Sequence, residues 1–134
     1  MKILLDTHIV LWTFYNVENL SDKAKNLIQN PDNTVFYSVV SAWEVLLKHT
    51  RHPDDPYYDL NRFWEGCSAL GFISLKLDDK HVRMVETLSL SADAPEHRDP
   101  FDKLLLAQAK SENIMFLTHD SKMTFYNEPC VICV

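Results

Sequence analysis

The chain has 134 residues, of which 46% are hydrophobic and 24% charged. This size and balance predict one globular domain over residues 1–134, with a core that needs neither disulfides nor a structural metal. The odd count of three cysteines fits free thiols. The net charge of −6 argues against a tight, sequence-independent grip on long nucleic acids. No run of residues has the length of a membrane span and no signal peptide is found, so we expect a cytoplasmic protein.

Predicted strands and helices alternate along the chain. The predicted strands cover residues 2–6, 34–37, 72–77, 114–118 and 129–134. The predicted helices cover residues 7–16, 22–30, 38–49, 59–70, 79–88 and 100–113, with a short helical turn at 121–126. This order indicates the α/β class, with a mostly parallel sheet of about five strands covered on both faces. The two glycines are too few for a glycine-rich phosphate-binding loop.

Two aspartates stand where predicted buried strands end. Asp6 follows the apolar residues 3–5, and Asp120 follows the strand 114–118 after one histidine. The carboxyl ends of the strands are where open α/β sheets bind their ligands. Both aspartates are therefore candidate site residues.

Two further acids lie on helix faces that carry apolar side chains. Glu44 shares its face with Val40 and Leu47, and Asp102 precedes apolar residues at helical spacing. An inward-pointing carboxylate needs a partner, so helix capping alone does not explain these two acids. Asp99 directly precedes Pro100, the usual pattern of an N-cap and the first helical residue, and both capping and a role in the site stay open for it.

Carboxylates gathered in one place repel one another unless some take up protons or a cation joins them. A cluster made only of oxygen ligands suits Mg²⁺ or Mn²⁺, hard ions that also bind phosphate oxygens. The acids therefore predict a divalent-metal site and phosphoester chemistry.

Four short segments carry the candidate acids. They are Leu4-Leu5-Asp6-Thr7-His8, Ser41-Ala42-Trp43-Glu44-Val45, His97-Arg98-Asp99-Pro100-Phe101-Asp102 and Leu117-Thr118-His119-Asp120. In order and spacing they resemble the PIN-domain family, and more narrowly the VapC-like toxins of bacterial and archaeal toxin–antitoxin pairs. The resemblance covers essentially the whole chain.

The resemblance implies a Mg²⁺-dependent endoribonuclease in which Asp6, Glu44, Asp102 and Asp120 hold the metal, with Asp99 as a supporting or additional ligand. It also implies an RNA substrate, a homodimer and a small cognate antitoxin protein that covers the acidic groove. Two features depart from the family: His119 stands where a small residue or arginine is usual, and residues 52–56 replace a glycine-containing turn.

Four cations lie near the candidate acids and are possible phosphate contacts. Arg98 and Lys103 flank the start of the Asp102 helix, while Lys48 and Arg51 follow Glu44. The alternative is that they are ordinary solvated surface charges. Thr7 is a candidate substrate contact, although capping of the first helix is the simpler interpretation.

Other interpretations use neighbouring residues. His8, His97 and His119 could form a His/Asp metal site or a general base, but helix and strand geometry predict that His8 and His119 face away from the acids. Aromatic residues of two predicted helices could stack bases, although helical spacing favours a core or a subunit interface. They are Trp12, Phe14 and Tyr15 in the first helix and Phe63 and Trp64 in the fourth. A non-catalytic PIN-like module that binds RNA or protein, or a metal-dependent DNA nuclease or phosphatase, would contain the same acids.

Overall fold

The centre of the molecule is one five-stranded sheet, seen in a computed structural model that describes all of residues 1–134. The strands are β1 Lys2–Leu5, β2 Thr34–Ser38, β3 Ile73–Leu75, β4 Met115–Thr118 and β5 Val131–Cys133. They lie in the order β3-β2-β1-β4-β5, and every neighbouring pair is parallel. The predicted α/β class and strand number are confirmed, and the sheet is entirely rather than mostly parallel.

Six helices connect and cover the strands. They are α1 Thr7–Tyr15, α2 Asp22–Gln29, α3 Val39–Arg51, α4 Leu60–Ala69, α5 Asp79–Met84 and α6 Pro100–Glu112. Single 3₁₀ turns occupy Val17–Asn19, Pro56–Tyr58, Val85–Thr87 and Ser121–Phe125. Helix α3 runs two residues further than predicted, and α5 ends early because its last predicted turn is 3₁₀. None of these helices is long and apolar enough to span a bilayer.

Side chains of the strands alternate between two apolar clusters. Ile3 and Leu5 belong to the larger cluster, whereas Leu4 belongs to the smaller one. Successive strand residues point to opposite faces of a sheet, so the two clusters are the cores on its two faces. The apolar runs of the strands are explained by this double burial.

Local signals set the ends of the two helices that carry site residues. The Ser38 hydroxyl accepts a hydrogen bond from the Val40 amide at the start of α3. The Asp99 carboxylate caps α6 immediately before Pro100, and Asn113 ends that helix in the left-handed conformation with φ of 59°.

The order of the strands creates a crevice at one edge of the sheet. From β1 the chain adds β2 and β3 on one side, and then returns to add β4 and β5 on the other. The connections leaving β1 and β4 therefore diverge, which opens a crevice between the carboxyl ends of these two neighbouring strands.

Candidate metal centre

A pocket of about 800 Å³ lies in this crevice. It is lined by the carboxyls of Asp6, Glu44, Asp99, Asp102 and Asp120, by Lys48 and Arg51, and by Pro100 and five rings, those of His8, Trp12, Tyr57, Phe101 and His119. The structure thus brings together all five acids that the sequence singled out. They arrive from the ends of two strands, the inner face of α3 and the start of α6.

Asp6 is held in place by Thr118, a residue that is not among the predicted site residues. The Thr118 hydroxyl donates to Oδ2 of Asp6 at 2.6 Å and accepts from the Asp120 amide at 3.0 Å. Burial raises the pKa of Asp6, the Thr118 hydrogen bond lowers it, and nearby Glu44 raises it further. A threonine at the end of β4, two residues before Asp120, is the local signal that could have identified this contact.

Asp102 lies in the first turn of α6 and is largely buried. Burial, reinforced by the negative charges of the neighbouring acids, raises the pKa of Asp102 from 3.8 to about 8. These neighbours are Asp6, Asp99, Glu44 and Asp120, in order of effect. In the absence of a cation, Asp102 is therefore mostly protonated at neutral pH.

Glu44 has one carboxylate oxygen with a partner and one without. Its Oε2 lies 3.0 Å from Nζ of Lys48, one helical turn further along α3. Its Oε1 is buried and has no hydrogen-bond partner, in a residue that is only 7% exposed. An orphaned buried acceptor is costly, so this oxygen calls for a ligand that the protein itself does not supply.

Asp99 and Asp120 are the more accessible members of the group. Oδ1 of Asp99 accepts from the amides of Phe101 and Asp102, which confirms helix capping, and Asp99 lines the pocket as well. Oδ1 of Asp120 accepts from the Lys122 amide and caps the following 3₁₀ turn. Each acid therefore has one oxygen used in capping, while Oδ2 makes no hydrogen bond to the protein.

His97 stands directly behind Asp102. Its Nε2 is 3.1 Å from Oδ2 of Asp102 and 3.8 Å from Oδ2 of Asp120, and its Nδ1 is 2.9 Å from the Tyr126 hydroxyl. Burial lowers the pKa of His97, which favours the neutral ring. A neutral ring that accepts from Tyr126 at Nδ1 donates from Nε2 to Oδ2 of Asp102. The nitrogen of His97 and one oxygen each of Asp102 and Asp120 all lie within 4.8 Å of one another.

The orientation predicted for His8 and His119 is wrong, because both side chains line the pocket. Strand alternation would turn His119 away from Asp120 only if β4 continued through His119, but the strand ends at Thr118 and the chain bends there. His8 lies in the first turn of α1, at the mouth of the pocket, where a residue two places from Asp6 still faces the opening.

Two of the four candidate phosphate contacts line the pocket and two do not. Lys48 and Arg51 line it. The Arg98 side chain is 82% exposed and pairs with Glu96 at 2.6 Å, which suits the surface-charge alternative. Lys103 does not line the pocket either.

Thr7 has a structural position beneath the pocket. It is buried, and its hydroxyl donates to Ser41 at 2.8 Å. The capping interpretation is wrong, because Asp6 occupies the N-cap position of α1. The hydroxyl instead links α1 to α3. Because Asp6 directly precedes α1 and Glu44 lies in α3, this hydrogen bond also fixes the two acids relative to each other.

The donor set fits a hard divalent cation. Five carboxyls face two cationic side chains in one pocket, and one buried carboxylate oxygen is unpaired. Oxygen ligands of this kind suit Mg²⁺ or Mn²⁺, and a bound cation would lower the pKa of Asp102 and satisfy Oε1 of Glu44.

The fold and the pocket define the class of protein. It is a parallel α/β domain with a carboxylate-lined crevice at the carboxyl ends of its central strands. The family model of the PIN domain matches residues 3–127. The chain belongs to the PIN-domain family, as its four acidic segments indicated. A comparison with curated proteins found no match.

Several solved structures have a similar fold. One is the crystal structure of VapBC2 from Rickettsia felis bound to a DNA fragment from its promoter, with a TM-score of 0.66 and 17% identity, covering 100% of this chain and 98% of that one. The structure of VapBC-1 from nontypeable Haemophilus influenzae has a TM-score of 0.62 and 18% identity, covering 92% of this chain and 93% of that one. A toxin–antitoxin complex from Klebsiella pneumoniae has a TM-score of 0.60 and 17% identity, covering 97% of this chain and 95% of that one. At these identities the similarity concerns the fold.

Proposed function

We propose that this protein is an endoribonuclease that depends on Mg²⁺ or Mn²⁺, with the ion held by Asp6, Glu44, Asp102 and Asp120. The observation that carries the proposal is the unpaired Oε1 of Glu44, which is buried in a pocket shared with four other acids. A protein that buries an unpaired carboxylate oxygen among like charges gains stability from a cation bound there.

The protein's own residues prepare the acids for this role. Thr118 fixes Asp6 through its hydroxyl, and His97 fixes Asp102 through Nε2. Asp99 is exposed and its Oδ2 makes no hydrogen bond to the protein, so we assign it to orient the attacking water. When bound, a divalent ion would polarise the phosphate and stabilise the charge that develops on it and on the departing oxygen.

Lys48 and Arg51 are the proposed contacts to the phosphate backbone. Both line the pocket, one and two turns along α3 from Glu44. In the absence of a cation, Lys48 pairs with Glu44 at 3.0 Å. A divalent ion on Glu44 would weaken this pair and release the ammonium for a phosphate oxygen.

We extend the proposal to a biological role as the toxin of a toxin–antitoxin pair, with a cognate antitoxin protein and a homodimeric assembly. Its support is membership of the PIN-domain family together with a fold like those in the VapBC complexes. Co-expression with any small protein encoded beside it, followed by co-purification and size measurement, tests both partners. A strict monomer with no such binder would contradict this role.

The activity is tested with mixed-sequence RNA, DNA of the same sequence and a phosphomonoester. We expect cleavage of RNA with Mg²⁺ or Mn²⁺, none with EDTA, and none by Asp102→Asn. The matched control is Asp32→Asn, which makes the same change in an exposed turn just before β2. This turn is at the amino end of the strand and does not line the pocket, which lies at the carboxyl ends. RNA binding without cleavage would indicate a scaffold, and preferential hydrolysis of DNA or of the monoester would indicate a different hydrolase. Either result would contradict the proposal.

A further inference from the structure

One side of the acidic pocket is built from three aromatic rings, those of His8, Trp12 and His119, which we call the aromatic wall. The rings of His8 and Trp12 are stacked, with centroids 6.1 Å apart and planes 20° from parallel. His119 meets Trp12 edge-on, with centroids 4.9 Å apart and an interplanar angle of 68°. Both histidines are exposed and Trp12 is half-buried.

The rings of the aromatic wall are held in place by the fold. His8 and Trp12 are four residues apart in α1, so they lie on one face of that helix. Trp12 also packs against the larger core cluster, which anchors one side of the indole. Nδ1 of His119 lies 2.8 Å from the Val134 carbonyl oxygen, so an Nδ1–H donor fixes the orientation of this ring. The fold therefore fixes the positions of Trp12 and His119, and His8 stacks on Trp12.

The position of the aromatic wall relates it to the scissile phosphate. His8 is two residues from Asp6, and His119 adjoins Asp120, so the wall borders the proposed metal ligands. Lys48 lines the same pocket. A volume of about 800 Å³ exceeds what one ion and one phosphate group fill. The pocket therefore has room for a nucleoside beside the phosphate.

This combination of features is suited to a particular part of a nucleic acid. Proteins that bind single strands combine cations that follow the backbone with aromatic rings on which the bases stack. The face of a base is free for such stacking only when the base is unstacked from its neighbours, as in a single strand, a loop or a bulge. Stacking on a ring face also gives little preference among the four bases.

We propose that the aromatic wall is a base-stacking subsite, in which His8, Trp12 and His119 hold one unpaired nucleobase next to the cleaved phosphate. The inference rests on the proposed ribonuclease function. It explains why three rings from two separate elements meet at the edge of the acidic pocket.

Kinetics on mixed-sequence single-stranded RNA test the proposal. Trp12→Leu and His119→Ala should each raise KM about tenfold while kcat changes little, because stacking contributes chiefly to binding. Trp12→Phe retains a ring and should keep most of the affinity. The control is Trp64→Leu, which removes an exposed tryptophan that does not line the pocket. Equal KM values for wild type, Trp12→Leu and His119→Ala would overturn the proposal.

A second measurement keeps Trp12 itself intact. With Trp43→Phe and Trp64→Phe, Trp12 is the sole tryptophan, and adding Asp102→Asn prevents turnover during the titration. Single-stranded RNA should quench the Trp12 fluorescence, and the matched RNA duplex should not. Equal quenching by both, or no change with any RNA, would overturn the proposal; the latter would point to a protein contact for the wall.

The proposed ribonuclease function and the proposed role of the aromatic wall can fail separately. A wild-type protein that cleaves no RNA with either metal defeats the proposed function, whatever the fluorescence shows. A wild-type protein that cleaves single-stranded and duplex RNA equally well retains the proposed function and loses the aromatic wall as its base-binding site.

Discussion

His97 lies behind Asp102, with Nε2 3.1 Å from the Oδ2 atom of that acid, and both residues are largely covered by protein. The other ring nitrogen of His97 is 2.9 Å from the Tyr126 hydroxyl, and the irregular segment that carries His97 is joined to the Tyr126 region by a bridge between Leu90 and Tyr126. A tyrosine, a histidine and an aspartate therefore form a chain that ends at the proposed metal ligand. Contacts of this kind orient a ligand and tune its affinity for metal.

Tyr126→Phe should lower the free energy of unfolding by about 1–3 kcal/mol, because Nδ1 of His97 then loses its buried donor. It should also reduce RNA cleavage, although less than Asp102→Asn does. Urea unfolding and initial cleavage rates measure the two effects. Tyr37→Phe is the matched control, since the Tyr37 hydroxyl makes no hydrogen bond within the protein. Its half-buried ring meets Phe63 edge-on, as the ring of Tyr126 meets His97. Equal effects of the two substitutions would contradict the positioning role of Tyr126.

The raised pKa of Asp102 predicts how stability depends on pH in metal-free protein. With a pKa of about 8 in the folded state and an ordinary value near 3.8 in the unfolded state, the folded state binds more protons between these values. The contribution of Asp102 to the free energy of unfolding is therefore fully present below pH ~4. It is lost as pH rises towards ~8, at up to about 1.4 kcal/mol per pH unit. The raised pKa of Asp6 acts in the same direction.

Urea unfolding in EDTA at pH 5, 6, 7 and 8 measures this dependence. Asp102→Asn removes the titrating group, so its stability should fall less steeply over the same range and exceed that of wild type at the upper end. Parallel pH profiles for the two proteins would show that Asp102 does not titrate in this way.

Lys48 is a proposed phosphate contact, and Arg98 is its matched control. Lys48 lines the pocket, while Arg98 pairs with Glu96 in solvent. Lys48→Met should weaken RNA binding several-fold and reduce the slope of log affinity against log salt by about 1. Arg98→Met should change neither quantity. A larger effect of Arg98 than of Lys48 would place the RNA path elsewhere on the surface.

The parts of the site that follow from local rules were predictable from the sequence. Asp6 and Asp120 follow apolar strands, and Glu44 and Asp102 share helix faces with apolar residues, so periodicity alone places them. The parallel sheet then brings the strand ends together. Identifying these four acids as site residues therefore required no information about contacts between distant segments.

The surroundings of the acids were not predictable in this way. His97 meets Tyr126 across 29 positions, through a segment that has no periodic pattern. Trp12 was expected in the core or at a subunit interface, and it packs on the core while also lining the pocket. Side chains at the ends of strands and in first helical turns follow the shape of the crevice, which depends on the topology of the whole sheet.

Calorimetric titration with Mn²⁺ and Mg²⁺ measures whether the acids of the pocket meet around a divalent ion. At pH 7 we expect wild type to bind with release of a proton, since Asp102 must ionise, and the heat to vary accordingly between buffers of different ionisation enthalpy. Asp102→Asn should bind much more weakly and release no such proton, while Asp32→Asn should match wild type. Equal metal binding by wild type and Asp102→Asn, or no binding by either, would show that Asp102 and its neighbouring acids do not form the metal site.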